Sequence, residues 1–176
     1  STPLTDGASA VLLASEDWSA ARAWLENHAP STDDPDWFAF RAEVEAGAGE
    51  LEDALAFYDR ALEASPAHRA ALYNASLVLS DLGRHDEAME RLERLVEVEG
   101  ETAETLNDLS YEYTHAGHGV PALLAAARAE QLATDPEMRW TARYNAAAAL
   151  AEMNRRDEAL ARLDAMLADW SDECGD

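Results

Sequence analysis

The stretch from Gly49 to Pro66 constrains this chain more than any other, because the chain repeats it. It reads Gly-Glu-Leu-Glu-Asp-Ala-Leu-Ala-Phe-Tyr-Asp-Arg-Ala-Leu-Glu-Ala-Ser-Pro. Ala54, Leu55, Tyr58, Ala61 and Leu62 recur at helical spacing, so they form one apolar face. The same phrase returns from Gly83 to Val98 and from Asn154 to Leu167. Alanine opens the second helix of a unit at Ala20, Ala54, Ala88 and Ala122, in steps of 34 residues, and Ala159 follows 37 residues later. Five residues before each alanine stand Ser15, Gly49, Gly83, Gly117 and Asn154, mostly glycine and asparagine, which tolerate the left-handed backbone that ends a helix. Four residues after it stand Trp24, Tyr58, Leu92, Ala126 and Leu163. A fixed period of this size predicts stacked helix-turn-helix units.

Further columns carry a family resemblance. Small residues recur in the first helices at Ala8, Ala42, Ser76, Ser110 and Ala147. Small or apolar ones recur late in the second helices at Ala61, Leu95, Ala129 and Met166, and Pro66 closes one unit. On these columns, from about Leu4 to Leu167, the chain resembles the tetratricopeptide repeat (TPR) family. The resemblance implies an all-α, right-handed superhelical solenoid of about five helix pairs. One domain then spans residues 1–170, in units of about 1–34, 35–68, 69–102, 103–139 and 140–170, with 171–176 as a tail. The first unit matches least well, with Gly7 in its first helix. In the second, Trp37, Phe40 and Val44 form the stripe, while Arg41 and Glu45 fall where apolar residues are usual. The helix from Pro121 to about Thr134 is expected to be longer than its counterparts and to absorb the 37-residue step. An alanine at each helix crossing lets two backbones approach, and stacked neighbours bury what one pair cannot.

Composition narrows the function. Against 36 acidic residues stand 13 basic ones, all arginine, for a net charge of −23. Such a chain repels phosphate backbones and anionic bilayers, so nucleic acid and membrane surfaces are excluded as partners. The acids are spread along the whole chain, which is expected of a solvated surface adapted to high salt. Cys174 is the sole cysteine, so no internal disulfide forms. No run of about 18 apolar residues is present, and Ser1-Thr2-Pro3 does not read as a signal peptide, so a cytoplasmic location is expected.

The family resemblance implies that first helices line a concave groove. The groove candidates are Tyr73, Asn74 and Leu77, then Asn107, Asp108, Tyr111 and His115, then Tyr144, Asn145 and Ala148. Tyr73-Asn74-Ala75 is matched by Tyr144-Asn145-Ala146, with Asp108 at the equivalent place between them. Asparagine both donates and accepts, so it holds an extended backbone without reading its side chains. Tyrosine adds flat contact area with a polar tip. The family's basic carboxylate clamp is not matched: lysine is absent, and Arg69 and Arg143 do not form the pattern. The expectation is a non-catalytic scaffold or adaptor holding a neutral or basic protein segment, with no cofactor and no metal. One alternative is a homodimer through the last helix, whose stripe of Leu160, Leu163, Met166, Leu167 and Trp170 has no following helix. The other is a metal site on Glu112, His115 and His118, which lacks any known zinc pattern. No nucleophile–base pair or phosphate loop is legible, and Gly47-Ala48-Gly49 reads as a helix end.

Overall fold

A computed structural model of the chain describes residues 17–29 and 33–174, with side chains up to residue 169. The described residues form helices without strands. They divide into two compact units, which meet at Arg84 and His85 in the sequence. The first holds α1 (Trp18–Asn27), α2 (Pro35–Gly47), α3 (Leu51–Ala64) and α4 (Arg69–Asp81). The second holds α5 (His85–Glu99), α6 (Ala103–His115), α7 (Gly119–Leu132), α8 (Pro136–Glu152) and α9 (Arg156–Cys174). The expected residues Ala8 and Ser15 lie outside the described residues, as does the Trp170 side chain.

Two kinds of signal start these helices. The first helix of each pair has a side-chain cap. Asp34, His68, Thr102 and Asp135 accept from the backbone N–H of Asp36, Ala71, Thr105 and Met138 at 2.8–3.1 Å. Such a bond satisfies one of the donors that a helix start leaves open. The second helix follows a tight turn, built the same way four times. Gly49, Gly83, Gly117 and Asn154 take φ of 83°, 70°, 80° and 59°. The N–H of the residue after each reaches back to the carbonyls of Glu45, Leu79, Tyr113 and Leu150, at 2.9, 2.8, 2.7 and 2.9 Å. This pairing satisfies helix-end carbonyls and requires a residue that tolerates the left-handed region.

The small-residue columns lie where the helices cross. Ala54, Ala88 and Ala122 are fully buried, as is Ser110, and Ala42, Ser76, Ala147 and Ala159 are buried as well. At the α6–α7 crossing the Ser110 hydroxyl donates to the carbonyl of Ala122 at 2.9 Å, which only a close backbone approach allows. Tyr58, Leu92, Ala126, Ala61, Leu95 and Ala129 fill the interiors as the columns predict.

Three expectations are corrected. In α1 the buried pair is Ala21 and Leu25, one residue later than Ala20 and Trp24. Ala20 is exposed, and the Trp24 ring stacks on His28 at 4.3 Å. Ala21 and Leu25, four residues apart, turn the helix by one position toward the core. The 37-residue step is not absorbed by a longer α7, which has 14 residues like α3. It falls in α8, with 17 residues against 13 in α2, α4 and α6. Finally, α9 stays helical through Cys174, beyond the boundary drawn at 170.

The misfit at Arg41 and Glu45 has its own explanation. Glu45 is buried and paired with two arginines. Arg22 of α1 reaches it through Nε at 2.8 Å, and Arg41 through Nε at 2.6 Å. The Arg41 guanidinium also lies over Phe57, 5.3 Å from its centroid. A charge is accommodated in an interior when it is paired and hydrogen-bonded, so the position is polar by construction.

Candidate functional site

The sequence-predicted groove residues fall on both compact units, and each set has its own surroundings. In the first unit Tyr73 and Asn74 are half-buried on α4, and Leu77 is exposed. Asn74 donates through Nδ2 to Glu43 of α2 at 3.0 Å and is also hydrogen-bonded to the Tyr58 phenol of α3. One amide thus ties three helices. Burial raises the Glu43 carboxyl above the usual range, and the Asn74 hydrogen bond opposes this. Burial raises the Tyr58 phenol too, with the Glu43 charge adding to it.

In the second unit the asparagines make a similar staple. Asn145 of α8 donates to the carbonyl of Asn107 at 3.1 Å, and Asn107 of α6 turns its Nδ2 toward the carbonyl of Met138 at 3.4 Å. Asn107 is buried, and its side chain joins α6 to α8. Asn145 is also largely buried, yet it lines a cleft between those helices of about 510 Å³. Tyr111, Thr114 and His115 line it from α6, and Tyr144, Asn145, Ala148, Ala151 and Glu152 from α8. Tyr111 and Tyr144 are 45% and 60% exposed, with one face of the Tyr111 ring covered by His115. Asp108 is half-buried on α6.

Beside this cleft lies a cluster that the sequence did not reveal. Glu112 is buried and accepts from His85 Nδ1 at 2.7 Å. The His85 ring lies 5.0 Å from that of His115, which is tilted against Tyr111 at 4.0 Å. The signal for His85 was only its place at the start of α5, and its partner is 27 residues away. The three proposed metal ligands do not converge. Glu112 turns to His85, His115 Nδ1 pairs with the carbonyl of Tyr111 at 2.9 Å, and His118 points toward Asp86 at 4.0 Å. Among the described residues no group of three acidic, histidine or cysteine side chains is placed to hold a metal. Arg143 is held between Glu130 at 2.7 Å and Asp169 at 2.6 Å, which ties α8 to α7 and α9.

Two apolar cavities lie between α8 and α9. One, of about 330 Å³, is lined by Tyr144, Ala148, Ala151, Arg156, Leu160 and Leu163, among others. The second, of about 480 Å³, is lined by Trp140, Thr141, Tyr144, Leu163, Met166 and Leu167. Leu160 and Leu167 are 58% and 65% exposed.

A family model described as a tetratricopeptide repeat matches residues 45–106, which hold the Gly49 and Gly83 turns and the Ala54 and Ala88 crossings. The chain is a tetratricopeptide repeat protein. An uncharacterized protein of Methanocaldococcus jannaschii is 38% identical over 63 residues, which cover 35% of this TPR chain and 73% of the relative. The solved structure of MamA from Desulfovibrio magneticus RS-1 superposes with a TM-score of 0.83 at 18% identity, covering 99% of this chain and 97% of that one. YrrB, described as a TPR protein with an unusual peptide-binding site, superposes with a TM-score of 0.64 at 27% identity, covering 85% of this chain and 72% of that one. The fold is therefore the all-α TPR solenoid, a scaffold for protein interaction. No described helix is long and apolar enough to cross a membrane.

Proposed function

We propose that this TPR protein is a non-catalytic adaptor that holds an extended segment of a partner protein in the cleft between α6 and α8. The observation that supports it most is the pair of exposed tyrosines, Tyr111 and Tyr144, on the two helices lining one cleft. Large rings with a polar tip give contact area at little entropic cost. Asn145 contributes one N–H to the Asn107 carbonyl, and its second N–H and amide oxygen serve a bound backbone. Asp108 of α6 adds negative charge. YrrB, with its described peptide-binding site, supports the same class of ligand. The net charge of −23 favours a neutral or basic segment over an acidic one.

The test is affinity capture from a lysate of the source organism, with the wild type beside Tyr111→Ala/Tyr144→Ala. A protein retained by the wild type and lost by the variant supports the reading. Equal retention removes the site from this cleft. A second reading, self-association through α9, is favoured by the exposure of Leu160 and Leu167. Sedimentation against concentration separates the two, since only self-association changes size in the absence of a partner.

A further inference from the structure

We infer that the segment held by this protein pairs a cationic residue, arginine or lysine, with an apolar residue about three positions away. The cation enters the cleft between α6 and α8, and the apolar side chain enters the cavity between α8 and α9. This rests on the peptide-holding reading above and adds the chemistry of what is held.

The two recesses are neighbours across one helix. Tyr144, Ala148 and Ala151 of α8 line both of them. Two of those three residues are alanine, so the ridge between the recesses carries little side chain and a backbone can cross it closely. Packed helices lie about 8–10 Å apart, which places the recesses about 10 Å from each other. Extended chain rises about 3.3 Å per residue, so about three residues span that distance.

Their linings differ in kind. The α6–α8 cleft offers the Tyr144 ring, the side of the Tyr111 ring away from His115, and the carboxylate of Glu152, with His115 but no arginine among its lining residues. Ring faces and a carboxylate together attract a guanidinium or ammonium group. The chain already uses this contact internally, where the Arg60 guanidinium sits 4.0 Å above the Phe38 ring. Beside Tyr144, the α8–α9 cavity of about 330 Å³ is lined by alanine and leucine, and its charged residue is Arg156, which repels a second cation. It has room for a leucine-sized side chain. The charge of the whole chain disfavours an acidic segment in either place.

A randomised twelve-residue displayed library, selected on the purified full chain, tests this. Selected peptides are then labelled and measured by fluorescence anisotropy, with circular dichroism confirming that each variant is folded. Arginine or lysine is expected to be enriched together with leucine, isoleucine, methionine or phenylalanine two to four residues away. Glu152→Gln is expected to weaken such a peptide about two- to fivefold. Tyr144→Ala is expected to weaken it about tenfold. Leu163→Ser should weaken the peptide but leave its apolar-to-alanine version unchanged. Enriched peptides without a cation that still depend on Tyr111 and Tyr144 would overturn this inference and leave the peptide-holding reading standing. No enrichment, or enrichment indifferent to both tyrosines, would overturn both. Dimerisation of the chain alone, abolished by Leu163→Asp, would assign the apolar cavity to a second copy and overturn the pairing.

Discussion

The two compact units use the same turn and the same alanine crossings but fill their interiors differently. In the first, charge is brought inside and neutralised there: Glu45 is buried between Arg22 and Arg41, and Asn74 is stapled to the carboxyl of Glu43. The second also buries a paired carboxylate, Glu112 on His85, but its asparagine staple runs between amides and backbone carbonyls, Asn145 to Asn107 and Asn107 toward Met138. The alanines of α8 leave clefts on either side of it. The repeat therefore fixes where helices cross and leaves open what closes the space between them. A staple ending on a carboxyl responds to pH, and one ending on a peptide carbonyl does not.

The sharpest way to break this contrast is to remove the buried charge. Glu45→Ala leaves two arginines facing each other and is expected to cost about 3 kcal/mol. Arg22 is about a third exposed, which places the effect at the low end for a broken buried pair. Urea unfolding followed by circular dichroism measures it, and a cost below about 1 kcal/mol would mean that the cluster is effectively solvated.

Next in size are the crossings, where the units should behave alike. Ala54→Leu and Ala122→Leu each overpack a fully buried contact and are expected to cost about 2 kcal/mol. Similar drops in melting temperature would support a shared crossing. A tolerated leucine at only one site would show that the alanine column is not equivalent in the two units.

The asparagines come third. Asn74→Ala and Asn145→Ala each lose a staple and are expected to cost about 1 kcal/mol at neutral pH. They should diverge in acid, because protonation of Glu43 alters only the partner of Asn74. Thermal melts of both variants at pH 4 and pH 7 make the comparison.

The smallest expected effect is that of Glu43→Gln. The carboxyl of Glu43 is raised by burial, so its contribution is fully present below the ordinary glutamic acid value and is lost as pH rises through the raised one. The glutamine keeps an oxygen for Asn74 and removes the buried charge. It should therefore raise the melting temperature slightly at pH 7 and leave it unchanged at pH 3. A drop at pH 7 would mean that the charge itself holds the staple.

The extent to which the site could be read in advance follows the same division. Tyr111, His115, Tyr144 and Asn145 stand at repeat spacings that place them on adjoining helices, and they line one cleft. That the Asn107 side chain turns inward was not legible, because it depends on Met138, 31 residues away. His85 was missed because its importance comes from Glu112, whose carboxylate turns inward and away from the histidines near it in sequence. Arg41 and Glu45 looked like errors in the stripe until Arg22 supplied the third member of their cluster.

By itself the sequence determined what is local. Glycine or asparagine at the turns, capping residues before the first helices, and alanine at fixed intervals each act through their own backbone or an adjacent turn, so one chain segment specifies them. It also determined the sign of the surface charge. Tertiary structure decided the rest: that Ala21 rather than Ala20 is buried, that the extra residues lengthen α8, and that the staples end on Glu43 and Asn107. Each depends on groups brought together from different helices, and repeat spacing alone does not say which of two neighbouring residues will meet them.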